Sequence, residues 1–182
     1  MNYKMMGRFI GHILLVEAVF MVPALLISLF KHEQRACVGF VASLGITMLL
    51  SLLLLVLCRG SKRSFKAREG LVCVSSSWVV MSLLGALPFY ISREIPSFLD
   101  ALFETVSGFT TTGASILPEV EVLSMSILYW RSFTHWLGGM GVLVFVLAVG
   151  VLGESSKGFT MHLLRAESPG PQVGKLVPKM KK

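Results

Sequence analysis

Long segments without a charged residue constrain this chain more than any other feature of its sequence. No residue from Ala36 to Cys58 or from Gly70 to Ser92 carries a charge, and Phe9–Phe30 contains a single acid, Glu17. An α-helix rises about 1.5 Å per residue, so roughly 20 apolar residues cross the hydrocarbon core of a bilayer, which is about 30 Å thick. These three segments, with a further one at Ser126–Leu152, predict an all-α membrane protein.

The composition agrees with this class and argues against a soluble or nucleic-acid-binding protein. Hydrophobic residues make up 54% of the 182 residues and charged residues only 15%, whereas about 25% of the residues in soluble domains are charged. The formal net charge is +7, but the basic residues lie between the apolar segments, where membrane loops are expected. Cys37, Cys58 and Cys73 have no metal-ligand spacing, so we expect packing roles rather than a disulfide framework.

One helical segment is too short to cross the bilayer. Ser97 is placed to act as an N-cap, with Asp100 in the capping-box position. The helix can continue only to about Phe109, because three threonines and a glycine follow and disfavour helix. A helix of about 12 residues covers about 18 Å. We therefore predict a pore helix at 97–109 and a re-entrant filter segment at 110–115, surrounded by protein or by a water-filled cavity.

The distribution of Lys and Arg predicts the orientation. If the N-terminus is cytoplasmic, thirteen of the 17 Lys and Arg residues fall on the cytoplasmic side, five of them between Arg59 and Arg68 and six after Leu152. Cytoplasmic loops are enriched in these residues, so both termini are expected in the cytoplasm and the pore loop enters from the other face. Tyr129, Trp130 and Trp136 then occupy the outer part of the last span, where an interfacial aromatic belt is expected.

The segment after the short helix has the composition of a cation pathway. Threonine hydroxyls and backbone carbonyls can replace the water around a cation, and rings of carbonyls do so in potassium-selective filters. Glycine tolerates the backbone angles that such a loop needs, and the negative C-terminal end of the helix favours a cation. Taken alone, Thr-Thr-Thr-Gly also fits an ordinary loop. The predicted ion-binding residues are Thr110, Thr111, Thr112, Gly113 and Ala114.

Further residues are candidates for supporting the pore. Arg131 lies too deep for a free charge, so we predict a pairing with Glu104, although Arg131 could instead extend to the surface. Glu17 fits either an ion-path carboxylate or a polar packing contact. Three glycines of the last span fit either a close approach or hinge at the pore, or ordinary helix packing. They are Gly138, Gly139 and Gly141.

These predictions divide the chain into three parts. Residues 1–60 form a transmembrane hairpin, residues 61–152 form one helix–re-entrant pore loop–helix repeat, and residues 153–182 form a basic cytoplasmic tail. We expect no enzymatic activity, because the apolar segments contain no nucleophile–base motif such as G-x-S-x-G or H-E-x-x-H.

Four motifs resemble the Trk/Ktr/HKT superfamily of potassium transporters, and most closely its bacterial TrkH/TrkG membrane subunits. They are GALPF at 85–89, FETVSGFTTTGA at 103–114, WLGGMG at 136–141 and RAESPGP at 165–171. The resemblance implies a potassium-channel-like fold in which four repeats surround one path. It implies that Thr111 and Thr112 coordinate potassium and that Gly113 is the filter glycine of the first repeat.

The resemblance also implies a cellular role and partners. The transported ion would be potassium, taken up across the bacterial inner membrane without an organic cofactor. The partners would be membrane lipid, a second copy of the protein in a homodimer, and a cytosolic nucleotide-binding regulatory subunit of the TrkA type. Two properties stay open: whether the pathway selects potassium or sodium, and whether transport is coupled to protons, to sodium or to neither.

The chain departs from this family in length, since it contains one repeat where the family has about four. We expect an N-terminal portion of a longer transporter, which would supply one filter segment of four. Two alternatives remain: a non-conducting fragment or assembly subunit of a membrane complex, and a homotetrameric cation channel.

Overall fold

The computed structural model describes the backbone of residues 3–59 and 67–152 and the side chains of residues 3–59 and 72–141. All regular secondary structure within these ranges is helical. The predicted basic tail and most of the basic loop lie outside the described residues. The helices are α1 (Tyr3–Phe30), α2 (Gln34–Leu57), α3 (Ala67–Gly85), α4 (Leu87–Ile91), α5 (Phe98–Phe109) and α6 (Met125–Leu152).

Helices α1 and α2 form the predicted hairpin. Both are long and apolar enough to cross a bilayer, as is the described segment Val72–Ile91. Small residues allow the two helices to approach closely, as is usual for packing in membranes. Gly11 of α1 faces Ser51 of α2, whose hydroxyl donates to the Gly11 carbonyl over 2.7 Å. The hairpin is therefore held by a buried polar contact as well as by apolar packing.

The predicted span Gly70–Ser92 is not one continuous helix. Helix α3 ends at Gly85 and the short helix α4 begins at Leu87, with Pro88 in its first turn, where the missing N–H costs least. The carbonyl of Gly85 accepts a hydrogen bond of 2.9 Å from the indole N–H of Trp130. Trp130 is fully buried, so its predicted place in an interfacial belt is wrong; it belongs to the buried core, with its indole N–H bound to the last residue of α3.

The predicted last span is present as α6, but it too is interrupted. Gly141 has φ 68° and ψ 159°, far from helical values, so the helix breaks at this point. A positive φ of this kind is readily adopted only by glycine. The part of α6 before the break packs against α1 and α5, with Phe133 stacked between Tyr129 and Trp136.

Two carboxylates from other parts of the chain cap the start of α6. Glu33, in the turn between α1 and α2, accepts hydrogen bonds from the backbone N–H groups of Met125 and Ser126 over 2.9 and 3.2 Å. Glu94 accepts one from the N–H of Ser124 over 2.7 Å. Negative groups are stabilising at a helix N-terminus, where the first N–H groups lack helical partners. This carboxylate clamp, Glu33 and Glu94, connects the hairpin to the repeat.

Candidate functional site

Helix α5 has the predicted boundaries and the predicted N-cap. It contains 12 residues, too few to cross a bilayer. The Ser97 hydroxyl accepts a hydrogen bond of 3.4 Å from the Asp100 N–H, as expected for an N-cap. The apolar side of the helix faces α3 and α6, and Ala101, Thr105 and Phe109 are buried there.

The C-terminal end of α5 turns sharply into the threonine segment. The N–H of Thr112 donates to the Ser107 carbonyl over 3.0 Å and the N–H of Thr111 donates to the Gly108 carbonyl over 2.9 Å. This is the hydrogen-bond pattern of a Schellman motif, in which one residue after the helix adopts a left-handed conformation. Here that residue is Thr111, with φ 54°. A positive φ is rare for a β-branched residue, and strained backbone of this kind concentrates at functional sites.

Gly113 is the second left-handed residue of the segment, with φ 75°. A Cβ placed on Gly113 would meet no atom within 4 Å in the described part of the chain. The glycine at this position is therefore explained by its backbone conformation and not by lack of space. The left-handed residues Thr111 and Gly113 are separated by one residue, so the backbone changes handedness at alternate positions, unlike a helix or a strand.

The threonine side chains lie at the surface of the described structure. Thr110, Thr111, Thr112 and Ala114 are all exposed. The Thr110 hydroxyl donates to the Val106 carbonyl over 2.7 Å and lies 2.8 Å from the Thr112 hydroxyl. Because Thr110 has one hydroxyl proton, Thr112 is the donor in the second bond. The segment thus presents several oxygens on an exposed edge.

Glu104 holds the returning chain against the pore helix. One carboxylate oxygen accepts from the Ser115 hydroxyl over 2.6 Å and from the Ile116 N–H over 2.7 Å. The other accepts from Arg131 Nε over 2.8 Å, so the predicted pairing of Arg131 with Glu104 is present. The carboxyl is fully buried, which alone would raise its pKa. The three hydrogen bonds and the Arg131 charge outweigh burial, and the pKa lies below its ordinary value.

The three predicted glycines of α6 lie in different environments. A Cβ on Gly138 would collide with the carbonyl oxygen of Phe109, so this glycine permits direct contact between α6 and the end of α5. A Cβ on Gly139 would meet only Thr111 Cγ2, at 3.9 Å. Gly141 breaks the helix. Close approach and a helix break both occur, each at a different glycine.

Glu17 is the unexplained acid of the site region. Its carboxyl is buried, and neither oxygen has a hydrogen-bond partner within the described part of the chain. A Cβ added to Gly85 would lie 3.0 Å from a Glu17 oxygen and equally close to Thr105 and Phe109 of α5. Glu17 therefore lies near the side of the pore helix that carries Thr105 and Phe109. Among the described residues, no polar packing contact to the Glu17 carboxyl is present.

Several functional side chains could not be identified from the sequence. Ser107 contacts both ends of the glycine turn, since its hydroxyl also donates to the Ala114 carbonyl over 2.6 Å. Glu33 and Glu94 have no sequence signal for capping α6, because the helix they cap is distant along the chain. Ser115 had such a signal, because it is the last residue of the predicted filter segment and can reach Glu104 once the loop folds back.

Comparisons with known proteins agree with this architecture. The sequence model of the TrkH family, described as cation transport protein, matches residues 37–179. A Trk system potassium uptake protein TrkH of Halomonas elongata is 37% identical over 182 residues, which cover 99% of this chain and 37% of that protein. The TrkH protein of Escherichia coli K12 is 34% identical over 94% of this chain and 35% of its own length.

A solved structure shows the same fold. The crystal structure of the potassium transporter TrkH from Vibrio parahaemolyticus matches with a TM-score of 0.75 and 29% identity, over 90% of this chain and 36% of that chain. The chain thus spans little more than a third of the length of these relatives. The predicted fold class, an all-α membrane protein with a leading hairpin and one helix–pore-loop–helix repeat of a potassium-channel-like fold, is confirmed. These relatives are transporters and not enzymes, and this chain belongs to the TrkH family of cation transport proteins.

Proposed function

We propose that this protein takes up potassium ions across the bacterial inner membrane and that this chain supplies one of four filter segments. The observation that carries the proposal is the backbone at 110–114, where left-handed residues Thr111 and Gly113 follow directly on a half-length helix. The relatives named as potassium uptake proteins support potassium as the transported ion.

The chemistry of the segment suits a partly dehydrated cation. An ion that leaves water needs replacement oxygens, which carbonyls and hydroxyls of Thr110, Thr111 and Thr112 would supply, with Thr111 and Thr112 as the coordinating residues. The C-terminal end of α5 adds the negative end of the helix dipole. Gly113 adopts the backbone conformation at low cost. Glu104, paired with Arg131, supports the end of the segment through its hydrogen bonds to Ser115 and Ile116.

One segment cannot surround an ion, so the proposal includes partners. The relatives are nearly three times longer than the part matched here, and the remaining repeats of the same transporter would complete the filter. We also infer a homodimer and a cytosolic nucleotide-binding subunit of the TrkA type. The excess of Lys and Arg supports cytoplasmic termini. Residues 1–60, 61–152 and 153–182 would act as hairpin, first repeat and cytoplasmic tail.

The proposal is tested by substituting Gly113. The intact protein is expressed in a bacterial strain that lacks its own potassium uptake systems, and rubidium or potassium uptake is measured. Gly113→Ala has room for its methyl group but forces an L side chain into the left-handed region, which costs about 1–2 kcal/mol. We expect uptake to fall by about tenfold.

Gly45→Ala is the matched control. Gly45 lies in α2, also has nothing within 4 Å of an added Cβ, and has no positive φ. We expect wild-type uptake from it. Equal uptake by the two variants would overturn the filter assignment, and absence of uptake by the wild-type protein would favour a non-conducting assembly subunit.

A further inference from the structure

Something other than side-chain packing must hold Gly113 in place. No atom of the described residues lies within 4 Å of its Cβ position, and its φ of 75° is one of many values open to a glycine. The carbonyl oxygens of a filter replace the hydration shell of the ion, so their number and arrangement bear on selectivity. The contacts of the two neighbouring residues, Thr112 and Ala114, are therefore informative.

Both neighbours of Gly113 are bound to the same residue of the pore helix. The Thr112 N–H donates to the Ser107 carbonyl over 3.0 Å, and the Ser107 hydroxyl donates to the Ala114 carbonyl over 2.6 Å. Ser107 is itself buried within α5. Gly113 is thus the apex of a short loop whose two ends are fixed to one point on a rigid helix.

The Ser107 hydroxyl departs from the usual behaviour of serine in a helix. Helical serines and threonines commonly donate to the carbonyl three or four residues earlier, as the hydroxyls of Ser43, Ser77 and Thr105 do here. The Ser107 hydroxyl instead reaches a carbonyl seven residues later. That bond orients the Gly113–Ala114 part of the segment and turns the Ala114 carbonyl toward α5.

We propose that Ser107 is a positioning residue that fixes the Gly113 turn and thereby sets the ion selectivity of this filter segment. The inference rests on the proposed function. Loss of the hydroxyl leaves the Thr112 bond, which uses the Ser107 backbone, but frees the Ala114 carbonyl to rotate toward the ion path. A segment with more mobile oxygens discriminates less between potassium and the smaller sodium ion.

The test compares Ser107→Ala with Ser107→Thr in the intact protein reconstituted in liposomes. Uptake of potassium and of sodium is measured on the same vesicles, because their ratio does not depend on how much protein is inserted or folded. Removing one neutral hydrogen bond in Ser107→Ala is expected to lower the potassium-to-sodium uptake ratio about fivefold. Ser107→Thr keeps a hydroxyl at this position and should keep the wild-type ratio. Ser43→Ala is the control, because it removes a buried serine hydrogen bond of 2.7 Å in α2.

The outcomes separate this inference from the proposed function. A ratio unchanged by Ser107→Ala, in a protein whose uptake depends on Gly113, would overturn the role of Ser107 alone. Uptake that is absent or independent of Gly113 would overturn the proposed function itself. An equal fall of the ratio in Ser43→Ala would show a general packing effect and would also contradict the positioning role.

Discussion

At the scale of single residues, Glu104 is the group on which most of the site depends. It is fully buried and joins three parts of the chain: the pore helix, the returning loop and α6. A buried carboxylate is stable only when its oxygens are paired and hydrogen-bonded. Removing its charge leaves the Arg131 guanidinium without a counterion, which is more costly than losing an exposed ion pair.

We expect Glu104→Gln to lower the free energy of unfolding by about 2 kcal/mol at neutral pH, since hydrogen bonds to charged groups contribute about 1.5–3 kcal/mol. Because the pKa of Glu104 is lowered in the folded protein, its contribution is present above the ordinary pKa of 4.5 and is lost as pH falls below it.

Thermal unfolding of the detergent-solubilised protein at several pH values checks this prediction. The difference between wild type and Glu104→Gln should be largest near pH 7 and should shrink in acid. Glu119→Gln, at an exposed acid after the loop, is the control and should change little. A difference independent of pH would contradict an ionised Glu104.

At the scale of helices, the close contact between α5 and α6 determines where the threonine segment lies. Gly138 allows the α6 backbone to touch the Phe109 carbonyl at the end of α5. Any side chain there must push the two helices apart, and overpacking typically costs about 1–3 kcal/mol. The adjacent Gly139 has no such neighbour, so the two positions form a natural pair for comparison.

We expect Gly138→Ala to reduce both thermal stability and potassium uptake severalfold, because the displaced α6 moves Arg131 away from Glu104. Gly139→Ala should retain both properties, since its nearest new neighbour is Thr111 Cγ2 at 3.9 Å. Potassium uptake and the unfolding temperature of both variants, measured beside the wild-type protein, test this prediction. Equal tolerance at both positions would mean that α5 and α6 are not in rigid contact.

The sequence predicted the elements better than the contacts between them. The bounds of α5 were predictable because a cap at Ser97 and a stop after Phe109 are local signals. The break at Gly85 and the buried Trp130 were not, because they depend on how α3 meets α6. The hydrogen bond from Ser107 to the Ala114 carbonyl was not predictable, because a helical serine ordinarily donates to a carbonyl of its own helix.

At the scale of the whole molecule, the carboxylate clamp of Glu33 and Glu94 couples the hairpin to the repeat. Glu33 lies 92 residues before Met125 in sequence, yet it caps the same helix start as Glu94. The hairpin is thereby part of the support of α6.

We expect Glu33→Gln to destabilise the protein by about 1 kcal/mol, as the loss of a helix cap does, and Glu94→Gln to do the same. Because both act on one helix terminus, the double variant should not show the sum of the two effects. Chemical or thermal unfolding of the four proteins gives the coupling energy. Strict additivity would mean that the two carboxylates act independently.

Helix α6 is capped at its start and leaves helical geometry at Gly141, and this has a mechanical consequence. Before Gly141 the helix is capped by carboxylates at its start and contacts the pore helix at Gly138; at Gly141 its backbone leaves helical values. The part of α6 before Gly141 is thus fixed by its contacts, and Gly141 is the point at which the helix direction can change. We therefore expect a change of helix direction to occur at Gly141, while the part of α6 beside the threonine segment keeps its position.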